Sequence, residues 1–83
     1  MMKYMPVINL QKTGANITKL RQRAGLTVKD IQHELGLNST QAVYKWENGK
    51  TLPSVDNLVL LASVLEVGIE EIVICDLRQN NVA

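Results

Sequence analysis

From Leu10 onward, apolar and small residues recur at three- to four-residue steps: Leu10, Gly14, Ile17, Leu20 and Ala24. That spacing is the mark of one buried stripe on a helix. Asn9 and Thr13 are both suited to cap its start, and Gly25 is a natural residue to end it. Thr27 then caps a second helix, VKDIQHEL, with Asp30 three residues on as a near capping box. Ile31 and Leu35 face inward, Gly36 closes the helix and Leu37 plugs the turn. A third helix is expected from Thr40 to Asn48, with Ser39 as N-cap and Gly49 just past its end. Pro53 stiffens the next loop. Ser54 caps a fourth helix over 55–66, whose stripe is Leu58, Leu61, Ala62 and Leu65. Val67-Gly68 breaks that pattern. A fifth, short helix, IEEIVIC, carries Glu70 and Glu71 at its start, where the helix dipole favours anions. It turns Ile69, Ile72 and Val73 inward.

The two ends lack this periodicity. Residues 1–8 can form an extended arm or fray, and the polar residues 76–83 (DLRQNNVA) read as a mobile tail. Five helices with short links and no strand pattern predict an all-α fold. The chain divides into an arm over 1–12, a helical domain over 13–74 and a tail over 75–83.

The third helix stands apart from the others. Val43 and Trp46 are its apolar anchors. Thr40, Gln41, Tyr44, Lys45 and Asn48 occupy about half of a roughly 3.6-residue wheel on the other side. A short helix with two anchors behind and a row of hydrogen-bonding side chains in front is built to present that row. The edge of a DNA base pair is the fitting reader.

Composition narrows the class. Eighty-three residues make one small domain, and a core of that size gains from oligomerisation. With 46% hydrophobic and 20% charged residues the chain folds rather than staying disordered. A single cysteine, Cys75, rules out an intrachain disulfide framework and a cysteine-rich zinc site. It fits a reducing compartment, and its apolar run predicts a buried, inert thiol. No apolar run reaches the ~18 residues of a membrane span, and Pro6 and Asn9 interrupt the N-terminal apolar stretch where a signal peptide would need continuity. A cytoplasmic protein is expected.

The net charge of +1 says little, but its distribution says more. Residues 1–53 carry Lys3, Lys12, Lys19, Arg21, Arg23, Lys29, Lys45 and Lys50 against Asp30, Glu34 and Glu47, a balance of +5. Residues 54–83 carry Arg78 against Asp56, Glu66, Glu70, Glu71 and Asp76, a balance of −4. One half is suited to approach phosphates. The plainer reading is two ordinary solvated faces.

Taken together, LRQRAGLT, the Leu35-Gly36 turn, KWENGK, LPS and the final VGIEEIV, in this order and spacing, resemble the Xre-type helix-turn-helix domain of phage repressor and Cro proteins. The resemblance covers roughly residues 14–74. It implies a five-helix repressor-like fold in which the helix at 28–35 crosses the DNA backbone and the helix at 40–48 lies in the major groove. On that reading Gln41 reads adenine N6/N7 through its amide, and Lys45 reaches guanine O6/N7 or a phosphate. Thr40 meets a thymine methyl or a phosphate, and Tyr44 offers its hydroxyl or packs on the neighbouring turn. Asn48 and Lys50 resemble the family's phosphate clamps, with Thr27 and Lys29 as lesser phosphate contacts at a helix N-terminus. The resemblance also implies that Arg21 pairs with Glu47 to orient the helices. For each of these side chains the bland alternative is a solvated surface residue.

Three positions depart from the family pattern. The stretch from Gly36 to Trp46 is one residue longer than usual, which places an insertion near Asn38–Ser39. Gln32 stands where a small alanine is usual, and the longer turn is expected to make its space. Val28 stands where a glutamine commonly contacts phosphate.

Other chemistry is not indicated. His33 lacks partners at metal spacing. There is no Gly-rich phosphate loop, no Ser-His-Asp set and no paired catalytic carboxylates, so no enzyme, cofactor, metal or small-molecule ligand is expected. The sequence predicts a DNA-binding transcriptional regulator, of repressor type, reading a short palindrome in double-stranded DNA as a homodimer. The end of the fourth helix, the fifth helix and the tail, with Val67, Ile69, Ile72, Val73 and Ile74, are expected to form the dimer surface. The alternative is a protein-binding adaptor or antitoxin on the same fold.

Overall fold

The structure is a computed structural model that describes residues 4–79. Five helices follow in order: α1 Leu10–Arg23, α2 Val28–Glu34, α3 Gln41–Glu47, α4 Val55–Leu65 and α5 Ile69–Ile72. They are bracketed by two strands, β1 Tyr4–Ile8 and β2 Cys75–Gln79, which pair antiparallel. The all-α expectation therefore holds for the body and fails at the ends. Part of the expected arm is β1, residues 10–12 open α1, and the start of the expected tail is β2. Residues 1–3 and 80–83, including Lys3 and the end of the tail, lie outside the described residues.

The start signals of α1, α2 and α4 act as the sequence suggests. Asn9 caps α1, its side chain accepting the Lys12 N–H, which settles the choice against Thr13. Thr13 is instead fully buried. Its hydroxyl accepts the Ile74 N–H at 2.9 Å and donates to the Ile74 carbonyl at 3.4 Å, which fixes the approach to β2 on α1. The Asn16 amide does the same for α5, donating to the carbonyls of Glu71 and Ile72. These bonds satisfy groups that a short helix leaves open at its end.

Two expected boundaries shift. Helix α4 ends at Leu65, because Glu66 adopts a left-handed φ of 57° and its N–H turns back to Ser63. Gly68 is then the N-cap of α5 rather than the break. Helix α5 stops at Ile72, since Val73 is already extended and feeds β2. Of its expected inward residues, Ile72 is fully buried and Val73 half-buried, but Ile69 is exposed. Cys75, expected to be buried, is exposed on β2.

The core gathers Ile17, Leu20, Val28, Ile31, Leu35, Val43, Trp46, Leu61, Ala62, Leu65 and Ile72. Every helix contributes to it, so none is held by propensity alone. Leu10 and Ala24, the two ends of the expected α1 stripe, are exposed. At the middle of that stripe Gly14 lets α1 approach the backbone at the end of α3 closely. A Cβ there would meet the carbonyl oxygens of Trp46 and Glu47 and the Gly49 nitrogen.

The base of the ribbon is tied to α1 through Asp76, which accepts from Asn9 at 2.8 Å and pairs with Lys12 at 3.0 Å. Those bonds, the Asn9 amide first, hold its carboxyl below the usual carboxylate range.

Gly14→Ala should lower stability by about 1–3 kcal/mol through overpacking against backbone. That outweighs the helix-propensity gain of up to about 1 kcal/mol. Urea denaturation of the two proteins checks it. Because the folded pKa of Asp76 is depressed, its contribution is present above the ordinary carboxylate pKa of about 4 and is lost as pH falls through the folded value. Protection of the β1 and β2 amides, taken relative to their intrinsic exchange rates, should therefore fall below about pH 4, and Asp76→Asn should remove that dependence.

Candidate nucleic-acid interface

Helix α3 has seven residues, and its exposure pattern divides them cleanly. Val43 and Trp46 are buried, Ala42 and Glu47 half-buried, and Gln41, Tyr44 and Lys45 exposed. The exposed side continues into Asn48, the C-cap, and Lys50. Thr40, expected as the first helical residue, is instead the N-cap. It is half-buried, in α-helical conformation, and makes no side-chain capping bond. The Ser39 hydroxyl accepts the Gln41 N–H at 3.3 Å in its place. Gln41, Tyr44, Lys45 and Asn48 thus share one face, with Thr40 at its edge.

The anchoring is polar as well as apolar. The Arg21 Nε donates to Glu47 Oε2 at 2.7 Å and its Nη2 to Oε1 at 3.2 Å, a bidentate pair. The remaining arm donates to the Leu26 carbonyl at 3.0 Å. The two side chains are 13% and 8% exposed. Glu47, hydrogen-bonded to it, pushes the Arg21 pKa further up, so the guanidinium stays charged at any relevant pH. The pair ties α1, the loop before α2, and α3 together.

The long turn before α3 is held by Gln32. Its amide donates to the Leu37 carbonyl at 2.9 Å from a half-buried position. The glutamine thus bonds to the start of the turn. Val28, the third departure, is buried in the core and offers nothing to a ligand.

At the start of α2 the capping box is complete. The Thr27 hydroxyl accepts the Asp30 N–H, and the Asp30 carboxylate accepts the Thr27 N–H at 2.8 Å. These bonds, the Thr27 backbone first, hold the Asp30 carboxyl below its ordinary pKa. The chain's own anion therefore occupies this helix N-terminus. What it leaves for a phosphate is the Thr27 hydroxyl hydrogen and the exposed Lys29 ammonium.

The loop after α3 has a buttress that sequence patterning missed. Gly49 has φ of 71° and lies against the Gln11 backbone and side chain. The first turn of α1 thereby supports the segment carrying Asn48 and Lys50. A positive-φ glycine after a helix is a visible signal, but its neighbour 38 positions earlier is not.

Comparison with known proteins agrees with this geometry. The family model described as Helix-turn-helix matches residues 17–72. The chain belongs to the helix-turn-helix family, of the Xre/Cro-like kind. Its structure is similar to that of the restriction-modification controller protein C.AhdI from Aeromonas hydrophila. The TM-score is 0.69 and the identity 28%, over 76% of this chain and 94% of that one. It is also similar to the DNA-binding domain of BldD, with a TM-score of 0.66 and 21% identity over 78% and 93% of the two chains. No curated protein matches the chain at a significant level. In this helix-turn-helix, α2 and α3 are the paired helices. Among the described residues no helix is long and apolar enough to cross a membrane.

Glu47→Ala should cost about 3 kcal/mol, because it strands a largely buried guanidinium. Replacing both partners together, Arg21→Met with Glu47→Leu, should cost less than Glu47→Ala alone. Thermal denaturation of the three proteins measures the difference.

Proposed function

We propose that this protein is a sequence-specific DNA-binding transcriptional regulator, of repressor type, that reads a short palindrome as a homodimer with α3 in the major groove. The observation that carries the reading is the division of α3. Its anchors are wholly consumed by the core and by Arg21, while its other face is an unbroken exposed polar row. A helix held this rigidly, with its donors outward, suits direct readout.

Charge supports the same face. Of the three acids in residues 1–53, Glu47 is held by Arg21 and Asp30 by its own helix N-terminus. Lys29, Lys45 and Lys50 are exposed along α2, α3 and the following loop, so cations dominate what faces a phosphate strand. In the proposed complex Gln41 gives and takes one hydrogen bond with adenine N6 and N7. Lys45, one turn on, reaches guanine or a phosphate. Tyr44 and Thr40 lie beside them, at a phosphate oxygen or a thymine methyl. Asn48 and Lys50 grip the strand, with Thr27 and Lys29 as weaker contacts. Base contacts then specify while phosphate contacts position. The membership of C.AhdI among controller proteins, at 28% identity, is consistent with a regulatory role.

Two copies related by a two-fold would place their α3 helices about 34 Å apart, one turn of the duplex. The surface first expected to join them needs revision. Of its five named apolar residues Ile72 is fully buried, Val67 packs on the core, and Val73 and Ile74 are half-buried, which leaves Ile69 exposed, while the tail that belongs to the same expected surface exposes Leu77.

On a duplex selected from random sequence, Gln41→Ala should reduce discrimination at one base pair by about 1–3 kcal/mol. Affinity for unrelated duplexes should change little. Lys50→Ala should weaken binding to every sequence alike and lower the salt slope by about one. Binding that is insensitive to both changes and to salt would favour the adaptor or antitoxin reading, with Tyr44 against a protein partner.

A further inference from the structure

Among the described residues the β1–β2 ribbon is the one element that is exposed throughout, β1 and β2 alike. A two-stranded pair is marginal in water, and stability comes with a third strand or more over an apolar face. This ribbon has such a face. Directly paired residues point to the same side, so Tyr4, Pro6, Ile8, Cys75 and Leu77 share one face, with the polar Gln79 at its end. Leu77 is 73% exposed there. The other face carries Met5, Val7, Asp76 and Arg78.

The ladder also decides which edge is open. The Asn9 N–H donates to the Ile74 carbonyl at 2.8 Å, so the Asn9 N–H points across the ladder, while the Ile74 N–H is taken by the Thr13 hydroxyl. Residues that point their backbone groups inward and outward alternate along an antiparallel ladder. Val7 with Asp76 and Met5 with Arg78 are therefore bonded inward, while Tyr4, Pro6 and Ile8 turn their backbone groups out on β1. Pro6 has no N–H to offer there, and a proline in that place closes an edge to further pairing. On β2 the outward groups belong to Cys75, Leu77 and Gln79, with no proline among them.

We propose that the outer edge of β2 pairs antiparallel with the same edge of a second copy of this chain, in a register centred on Leu77, to form a four-stranded sheet. The assignment rests on the homodimer of the reading above but not on its DNA contacts. Charge selects the register. A two-fold at Leu77 sets Asp76 opposite Arg78 of the second copy, and Arg78 opposite its Asp76. Moving the axis one residue either way sets Asp76 against Asp76 or Arg78 against Arg78, and directly opposed like charges are destabilising. In the chosen register the two Leu77 residues exchange both backbone hydrogen bonds, and each side chain lies beside its copy. The apolar faces of both ribbons then become one continuous surface, which meets the condition the lone ribbon fails.

Sedimentation of the full chain without DNA tests this. The unaltered chain should be a dimer. Asp76→Arg and Arg78→Asp, each alone, put like charges opposite one another at both symmetry-related positions and should weaken the dimer about tenfold or more. Mixed together they should associate again, since one chain then presents two arginines and the other two aspartates. Arg78→Asp leaves the Asp76 bonds to α1 intact, so its effect cannot be assigned to a frayed ribbon. As a check on register, Leu77→Cys in a Cys75→Ser background should form an interchain disulfide on oxidation. Its Cα atoms would lie about 5.5 Å apart, within disulfide range. The native Cys75, placed opposite Gln79 of the second copy, should not. A monomer at all concentrations, a dimer unmoved by either charge change, a mixture that fails to associate, or no cross-link at position 77 would each overturn the assignment. A chain that dimerises as described yet selects no duplex would sink the DNA reading and leave this one standing.

Discussion

Helix α3 cannot hold itself together. Seven residues are well short of the roughly 12–15 that an isolated helix needs in water. Its N-cap supplies no side-chain bond, so its shape depends on what its inner face grips. Val43 and Trp46 enter the core, Glu47 closes on Arg21, and its last carbonyls rest against Gly14 of α1 at a distance no other residue would permit. The buried pair matters here for orientation. Its net worth against an apolar substitute is small, because desolvation offsets most of the attraction. Its bidentate geometry nevertheless allows one rotation of α3 about its axis, and that rotation decides which side chains face out.

The same economy of charge shapes the rest of the surface. Two acids on the α2–α3 side are engaged by the chain itself, Glu47 by a guanidinium and Asp30 by a helix N-terminus, while Glu34 stays exposed. The lysines remain exposed. The turn before α3 is held from α2 by the Gln32 amide on the Leu37 carbonyl.

Much of this was legible in the sequence because it is local. The capping box at Thr27 and Asp30, the glycines ending α1, α2 and α3, and the alternation of anchors and polar residues in α3 all lie within a few positions of one another. The pairing of Arg21 with Glu47 came from the family resemblance and not from spacing. The ribbon was not legible. Neither strand shows a clean two-residue alternation, Pro6 argues against a strand, and the partners Tyr4 and Gln79 are separated by nearly the whole chain. Closure at that range is set by Thr13, Asn16 and the Asn9–Asp76 bond, polar contacts with no periodic signature. The exposure of Cys75 and the early end of α5 follow from the same strand, which draws the chain out of the helix after Ile72. Roles for Gln41, Tyr44 and Lys45 are readable only as chemistry waiting for a ligand.

The most direct measurement is an amide chemical-shift titration of the full chain with a selected duplex. The account predicts that the largest shifts fall on Thr40–Lys50, with smaller ones at Thr27–Lys29. The outer face of α4, where Val55 and Val59 are exposed, should stay unchanged. Saturating shifts confined to α4 or the ribbon, with α3 silent, would contradict it.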